Sequence, residues 1–156
     1  MKLMRWNRLA KCLMALLIPF MGFTARAGSR YETYIHAGFL DHKTGFSLVG
    51  YAHSYRQTKT DDFFLGVGTA VSIITASAGW KHTFYDRNIQ GYSVFAVHAV
   101  SSFGGIFMAP FASFGAEKNL FDDVYLNVGA NATLRPGPNN GLSVVTFPNV
   151  NVSMRY

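Results

Sequence analysis

The last nine residues of the chain, "PNVNVSMRY", alternate strictly between two kinds of side chain. In an extended chain the apolar residues at even positions from Val150 to Tyr156 fall on one face. The amides, hydroxyl and guanidinium at odd positions from Asn149 to Arg155 fall on the other face. An apolar face that ends on an aromatic residue, opposite a polar face, suits a membrane strand with lipid outside and a polar lumen inside.

The segment "DVYLNVGANATLR" repeats this alternation, so we expect these two segments to pair with their asparagines facing inward. Turn residues read backwards from there predict eight strands, and an open sheet edge is not viable in hydrocarbon. The sequence therefore predicts an all-β fold, an eight-stranded antiparallel transmembrane β-barrel. The boundary between the third and fourth strands is the weakest, because "SIITASAG" contains no Pro, Asn or Asp. The predicted strands cover residues 31–40, 45–56, 62–72, 79–85, 91–101, 106–117, 123–135 and 142–156.

The N-terminal segment has the pattern of a secretory signal peptide: basic residues, then the apolar run "CLMALLIPFMGF", then "ARA". We expect residues 1–27 to be a signal peptide cleaved after Ala27, and residues 28–156 to form the outer-membrane β-barrel. The apolar run is too short to span a bilayer, and the alternative is a membrane anchor that stays attached.

Export also explains the formal charge of +6, because five of the fourteen basic residues lie before Gly28. Residues 28–156 are nearly neutral, which gives no support to nucleic-acid binding. The single cysteine, Cys12, leaves with the same segment, so neither a disulfide nor a catalytic thiol is expected in the mature chain. The five basic residues are Lys2, Arg5, Arg8, Lys11 and Arg26.

Aromatic residues near the predicted strand ends fit the interfacial girdles of a membrane barrel. A soluble β-sandwich also alternates, but the girdles and the closing aromatic Tyr156 favour the barrel. The residues assigned to the girdles are Tyr31, Phe46, Phe63, Phe84, Tyr85, Tyr92, Phe121, Tyr125 and Tyr156.

A barrel of this size encloses only side chains or one slender ligand, which disfavours transport. A structural barrel would fill its lumen with a charged, hydrogen-bonded network, whereas an acyl-binding barrel needs an apolar upper lumen and a lateral entrance. In "ASAGWKHT", an outward Trp80 places Gly79 and Lys81 inward, so we expect a void above a polar floor. With Gly66 and Gly68 on the neighbouring strand, this void would form an acyl-chain pocket. Alternatively, the small residues let aromatics from opposite strands meet.

Short patches in matching order over most of residues 28–156 resemble the outer-membrane lipid A palmitoyltransferases: "YETYI", "GWKHT", "APFASFG", "RPGPNNG" and the aromatic C-terminus. The resemblance implies transfer of a palmitoyl chain from a phospholipid donor to a lipid A acceptor in the bacterial outer membrane, without a metal or dissociable cofactor. It also implies that Gly79 sets the acyl-chain length, and that Pro110 and Pro136 open a gap between strands six and seven. We expect a monomer. The family's helix before the first strand has no counterpart, because only "GSR" separates Ala27 from Tyr31.

The family performs this transfer with an extracellular His, Ser and Asp. His42 falls within one residue of the family histidine, and Ser72 falls near the family serine, but Val71 stands where the family has aspartate. We expect His42 to act as general base at the extracellular rim, Asp41 or another carboxylate to orient it, and Ser72 to assist or to stabilise the oxyanion. The alternatives are a solvated loop histidine and a strand-end serine.

Other functions have less support in the sequence. A lipid A deacylase-type hydrolase would need a grouped His, Ser and acid, and an adhesive barrel would need longer polar loops than "DHKT" or "RPGPNNG". The remaining histidines lie on different strands without paired spacing, so a zinc site is not expected. They are His36, His53, His82 and His98.

Overall fold

The structure is a computed structural model that describes residues 31–84, 89–102, 104–136 and 142–156. Eight strands in chain order form a closed barrel in which every pair of neighbours is antiparallel, so the predicted fold class is confirmed. The predicted signal peptide falls outside the described residues. The strands are β1 (Tyr31–Phe39), β2 (Val49–Arg56), β3 (Asp61–Ala70), β4 (Ile73–Phe84), β5 (Ile89–Ser102), β6 (Gly105–Phe121), β7 (Val124–Pro136) and β8 (Leu142–Arg155).

The barrel has two distinct ends. We call the end with the connections that follow β1, β3, β5 and β7 the upper end; the lower end carries the other connections and Tyr31 and Tyr156. There β1 closes onto β8 through reciprocal backbone hydrogen bonds between Thr33 and Tyr156, of 3.1 and 3.0 Å. The wall is uneven, because β1 and β2 have 9 and 8 residues while β6 and β8 have 17 and 14.

Side chains alternate between an apolar outer face and a polar inner face. On β8 the even residues from Val150 to Tyr156 are exposed, and the odd residues from Asn149 to Arg155 are buried. The asparagines of β7 and β8 do pair inside, as predicted: for example, Asn127 Nδ2 donates to Asn151 Oδ1 at 2.8 Å. A barrel whose exposed outer face is apolar is consistent with an outer-membrane protein. Among the described residues, no helix is long and apolar enough to cross a membrane.

Three predicted strand boundaries are wrong by four residues or more, and one of them is the end of β6, which lies at Phe121 rather than at residue 117. Strand β2 begins at Val49 rather than at residue 45, and β4 begins at Ile73 rather than at residue 79. The β3–β4 turn consists of Val71 and Ser72, and Val71 has a left-handed φ of 51°. A β-branched residue is unusual in that conformation, so no turn could be predicted at Val71 from its residue type. The segment "IITASA", expected to be an external loop, therefore belongs to β4.

The predicted aromatic girdle is partly corrected. Tyr92 is fully buried inside the barrel, and the Tyr125 ring lies inside, with the Arg155 guanidinium 4.0 Å from its centroid. Phe46 belongs to the first connection and packs against Phe147, with ring centroids 5.0 Å apart. Tyr85 lies outside the described residues. The strands do place exposed aromatics of the predicted set near the lower end: Tyr31, Phe84, Phe121 and Tyr156.

Candidate functional site in the lumen

The first connection turns into the lumen instead of covering it from above. We call residues 40–47 the hairpin tip. Within it Asp41, His42, Lys43 and Thr44 are each 0% exposed. Backbone hydrogen bonds of 3.0 and 2.9 Å join Asp41 and Gly45, and the Asp41 carboxylate accepts from the N–H groups of Lys43 and Thr44 at 2.8 and 2.9 Å. The segment "DHKT", expected at an exposed rim, is therefore an internal plug.

Hydroxyl groups of the barrel wall hold the hairpin tip. Thr75 Oγ1 donates to the Thr44 carbonyl at 2.7 Å, and Ser77 Oγ donates to the Lys43 carbonyl. Lys43 Nζ in turn donates to Ser54 Oγ at 2.8 Å. These bonds satisfy backbone and charged groups that burial has separated from water.

Glycines on the wall make room for the tip. A methyl group at Gly66 would lie 2.7 Å from the Lys43 carbonyl oxygen, and one at Gly68 would lie 2.5 Å from Ser47 Cβ. These are the two glycines that the sequence assigned to the acyl-chain pocket. In this conformation the space beside them is occupied by the hairpin tip.

No void lies beside Gly79 either. A methyl group there would lie 2.5 Å from Ala96 Cβ, 2.6 Å from the Phe95 carbonyl oxygen and 2.8 Å from Phe64 Cζ. Phe64 and Tyr92 belong to one buried cluster. The alternative stated for Gly79, that a small residue lets aromatics from different strands meet, describes this arrangement better than an open pocket does.

An ionic centre joins the tip to the lower lumen. The buried Glu117 carboxylate lies 2.5 Å from Lys81 Nζ, 2.5 Å from Arg155 Nη2 and 3.3 Å from His42 Nε2. Lys81 is thus the polar inner residue that the alternation predicted. Two cations around one carboxylate compensate for much of the cost of burying all three charges.

The structure brings Asp41 and His42 together but leaves Ser72 apart. Asp41 Oδ1 lies 3.3 Å from His42 Nδ1, and neither ring nitrogen has a hydrogen bond with correct geometry among the described residues. Ser72 lies in the exposed β3–β4 turn, whereas the hairpin tip is bonded to Ser77, five residues along β4 from it. The expected catalytic set is therefore not assembled in this conformation.

The ladder between β6 and β7 is incomplete. It extends upward to the pair Phe111↔Thr133 and stops. Six residues of β6 (Gly105–Pro110) and three of β7 (Leu134–Pro136) continue above that pair, and their backbone ladders run only to β5 and β8. We call the two facing unpaired segments the β6–β7 seam.

The backbone direction at this seam follows from β8. Tyr156 exchanges hydrogen bonds with Thr33 on the β1 side, and the Arg155 N–H donates to the Asp123 carbonyl on the β7 side. Even residues of β8 therefore direct their backbone groups to β1, and odd residues direct theirs to β7. Carried through the observed register, even residues of β7 face β6, and even residues of β6 face β7.

Both prolines therefore direct their backbone into the seam. Continued upward, the register would place Pro110 opposite Leu134 and Pro136 opposite Met108, but a proline has no N–H to donate in either pair. Thr133 Oγ1 donates to the Pro110 carbonyl at 2.9 Å in place of a ladder bond. The ladder ends where its donors are missing.

The inner wall beside the seam is apolar above the hairpin tip. His98 stacks on Phe111 with ring centroids 3.9 Å apart, and among the described residues neither His98 nitrogen is hydrogen-bonded. The upper lumen is thus less polar than the region around Glu117. Its apolar inner residues include Val100, Ala109, Phe111, Val145 and Phe147.

Sequence reasoning missed several residues of this lumen, among them Lys43, His98 and Glu117. The alternation of β6 carried a signal for Glu117, because counting inward positions from Ser113 places its carboxylate in the lumen. Nothing comparable in the sequence indicated that Lys43 is buried, since a short polar loop is normally solvated.

No known family model matches the sequence, and no curated protein matches it significantly. In the part of the chain that the structure describes, no group of three or more His, Cys, Asp or Glu side chains could hold a metal ion.

Proposed function

We propose that the protein is an outer-membrane lipid A acyltransferase that takes a palmitoyl chain from a phospholipid through the β6–β7 seam. The observation that carries this proposal is the end of the ladder at Phe111↔Thr133, with Pro110 and Pro136 both facing the seam. Unpaired backbone groups cost free energy in hydrocarbon, so a seam that leaves them unpaired needs a functional reason. Lateral entry of a lipid chain through the seam would be such a reason.

The apolar upper lumen supports this function. A chain that enters beside Phe111 would meet Val100, Val145 and Phe147 before any charged group. Each methylene transferred from water to such a surface contributes about 0.8 kcal/mol.

The reaction exchanges one ester for another. The His42 imidazole would take the proton of a lipid A hydroxyl, the oxygen would attack the donor ester, and the proton would pass to the departing lysophospholipid oxygen. Asp41 would orient the imidazole, and Ser72 would stabilise the oxyanion. Because His42 is buried and Ser72 is at the exposed turn, the reaction requires the hairpin tip to leave its observed position.

A second candidate is a non-enzymatic outer-membrane barrel. The observation that favours it is the filled lumen, in which Asp41, Lys43 and Thr44 are hydrogen-bonded to one another or to the wall. Such a network is what a purely structural small barrel would contain.

Mass spectrometry of lipid A separates these functions. The protein is expressed in an outer membrane that lacks any related activity, and the folded amount is measured. One added palmitoyl chain supports the proposal. One lost chain would indicate a hydrolase, and unchanged lipid A beside folded protein would favour the structural barrel. His42→Gln should abolish the added chain, while His53→Gln, at an exposed position, should retain it.

A further inference from the structure

The hairpin tip keeps the residue pairing of the β1–β2 ladder, but its hydrogen bonds change phase: even residues of β1 bond to β2, whereas in the tip it is Asp41 that exchanges hydrogen bonds with Gly45. Ala37 pairs with Val49, the Gly38 N–H donates to the Leu48 carbonyl at 2.9 Å, and Asp41 bridges to Gly45. The tip is therefore the upper end of the same two-stranded ribbon, bent into the lumen.

The bend has a local cause in the backbone. Gly38 has a φ of 147° and Leu40 a φ of 54°. A left-handed leucine costs roughly 1 kcal/mol, so the bent ribbon is held in place by its contacts rather than by local preference. A straight ribbon would remove this cost.

The bend leaves β8 without a neighbour along its upper part. The β1–β8 ladder ends at Phe39↔Val150, so Leu142–Asn149 pairs only with β7. Even residues of this segment, including Thr146 and Pro148, direct their backbone groups to the side where a longer β1 would lie. Pro148 has no N–H, so a strand pairing opposite it would form only the single hydrogen bond from its own N–H to the Pro148 carbonyl.

We propose that the hairpin tip has a second position, in which the β1–β2 ribbon is straight and Leu40–His42 pairs with Phe147–Asn149 of β8. The existing register leads to this pairing, since each residue added to β1 after Phe39 meets the next residue of β8 above Val150. The occupant of the open β8 edge is thus a segment of the same chain.

Straightening would change the lumen in two ways. It would empty the space now held by the tip beside Gly66 and Gly68, and it would leave His42 on the inner face, because even residues of β1 face inward. This inference deepens the proposed function, since it describes how the acyl-chain space opens and how His42 rises toward the upper rim. A lipid chain would favour the straight position because it can occupy the lumen only there.

A cysteine at the tip reports the bent position. In a chain carrying Cys12→Ser, Thr44→Cys is reacted with a membrane-impermeant maleimide in lipid vesicles. We expect labelling at least tenfold slower than for Ser72→Cys in the exposed turn, because residue 44 is fully buried. Equal rates in the two variants would overturn the bent position.

Gly45→Ala should shift the tip toward the straight position. A methyl group at Gly45 would overlap the His98 ring, so the tip could no longer seat. We expect Thr44→Cys to label at least fivefold faster with this change. The matched control is Gly104→Ala, whose methyl would meet only Ser102 Oγ at 3.8 Å, and which should leave the rate unchanged. No difference between the two would contradict the proposal.

Disulfide cross-linking detects the second position directly. It does not require the Gly45→Ala variant to fold. In the straight ribbon, His42 and Phe147 would form a non-hydrogen-bonded pair, the geometry with the closest Cβ atoms. His42→Cys should cross-link to Phe147→Cys and not to Val145→Cys under mild oxidation. Absence of the first cross-link, or equal yields for both, would overturn the proposal. None of these labelling and cross-linking measurements involves lipid A, so their outcome is independent of the outcome of the transfer assay.

Discussion

At the scale of single residues, Glu117 joins the hairpin tip to the barrel wall. Its carboxylate lies within 3.3 Å of His42, Lys81 and Arg155, and it is 1% exposed. We predict that Glu117→Gln lowers the free energy of unfolding by about 3–5 kcal/mol, because it removes the carboxylate that bonds Lys81 and one of the two carboxylates beside Arg155, the other being Glu32 at 3.6 Å. Urea unfolding in lipid vesicles measures the change.

The matched control for Glu117→Gln is Asp123→Asn, which also exchanges a carboxylate for an amide but in an exposed turn. The free energy of unfolding of this variant should lie within ~0.5 kcal/mol of that of the unchanged protein. Equal stabilities of the two variants would show that the ionic centre does not hold the lumen together.

Gly79 gives a second prediction at this scale. Gly79→Ala should destabilise the barrel by about 1–3 kcal/mol, because the added methyl would press on Ala96, Phe95 and Phe64. Gly91→Ala is the control, since its methyl would meet nothing closer than 3.5 Å. If Gly79→Ala were as stable as Gly91→Ala, an open pocket beside Gly79 would describe the lumen better than the filled one.

The sequence was sufficient to orient residues but not to say what they touch. The alternation predicted that Lys81 points into the lumen and that Trp80 points outward, and the structure agrees. Alternation could not tell whether the space beside Gly79 was empty, because that depends on Phe64 and on Ala96 of a neighbouring strand. It also could not show that His42 is buried, since the hairpin tip enters the lumen through a bend at Gly38 and Leu40.

At the scale of elements, the β6–β7 seam yields a prediction about backbone protection. Pro110→Ala with Pro136→Ala restores the two missing donors, so the ladder should extend above Phe111↔Thr133. Amide hydrogen exchange of Met108 and Leu134 should slow by at least tenfold, and lipid A acylation should fall because the lateral entrance is closed.

Pro148→Ala is the control for the seam, because Pro148 directs its backbone toward β1. It should leave exchange at Met108 unchanged. Unaltered exchange in the double variant would mean that the prolines do not cause the end of the ladder. Slower exchange with full acylation would mean that lipid does not enter there.

Elements were predictable where alternation was long, and unpredictable where turns lacked their usual residues. Strand β8 was found almost to the residue, since its outward and inward positions differ sharply in polarity. The start of β4 was missed because Val71 and Ser72 turn the chain without Gly, Asn or Pro. The start of β2 was missed because residues 45–48 look like strand yet follow the tip into its bend.

At the scale of the whole molecule, the strand count and the closure followed from the sequence for a physical reason. A chain with an apolar outer face and unpaired strand edges is unstable in hydrocarbon, so the edges must close. The content of the lumen did not follow, because it depends on contacts between the hairpin tip, β4, β6 and β8 that are distant in sequence.

The central claim is that the apolar outer face, including Trp80, lies in a lipid bilayer while the lumen is filled. Trp80 and Trp6 are the two tryptophans of the chain, so a Trp6→Phe variant reports Trp80 alone. With this variant in vesicles, we predict that brominated phospholipids quench the tryptophan fluorescence strongly and aqueous acrylamide quenches it weakly. Strong quenching by acrylamide with no effect of brominated lipid would contradict the account.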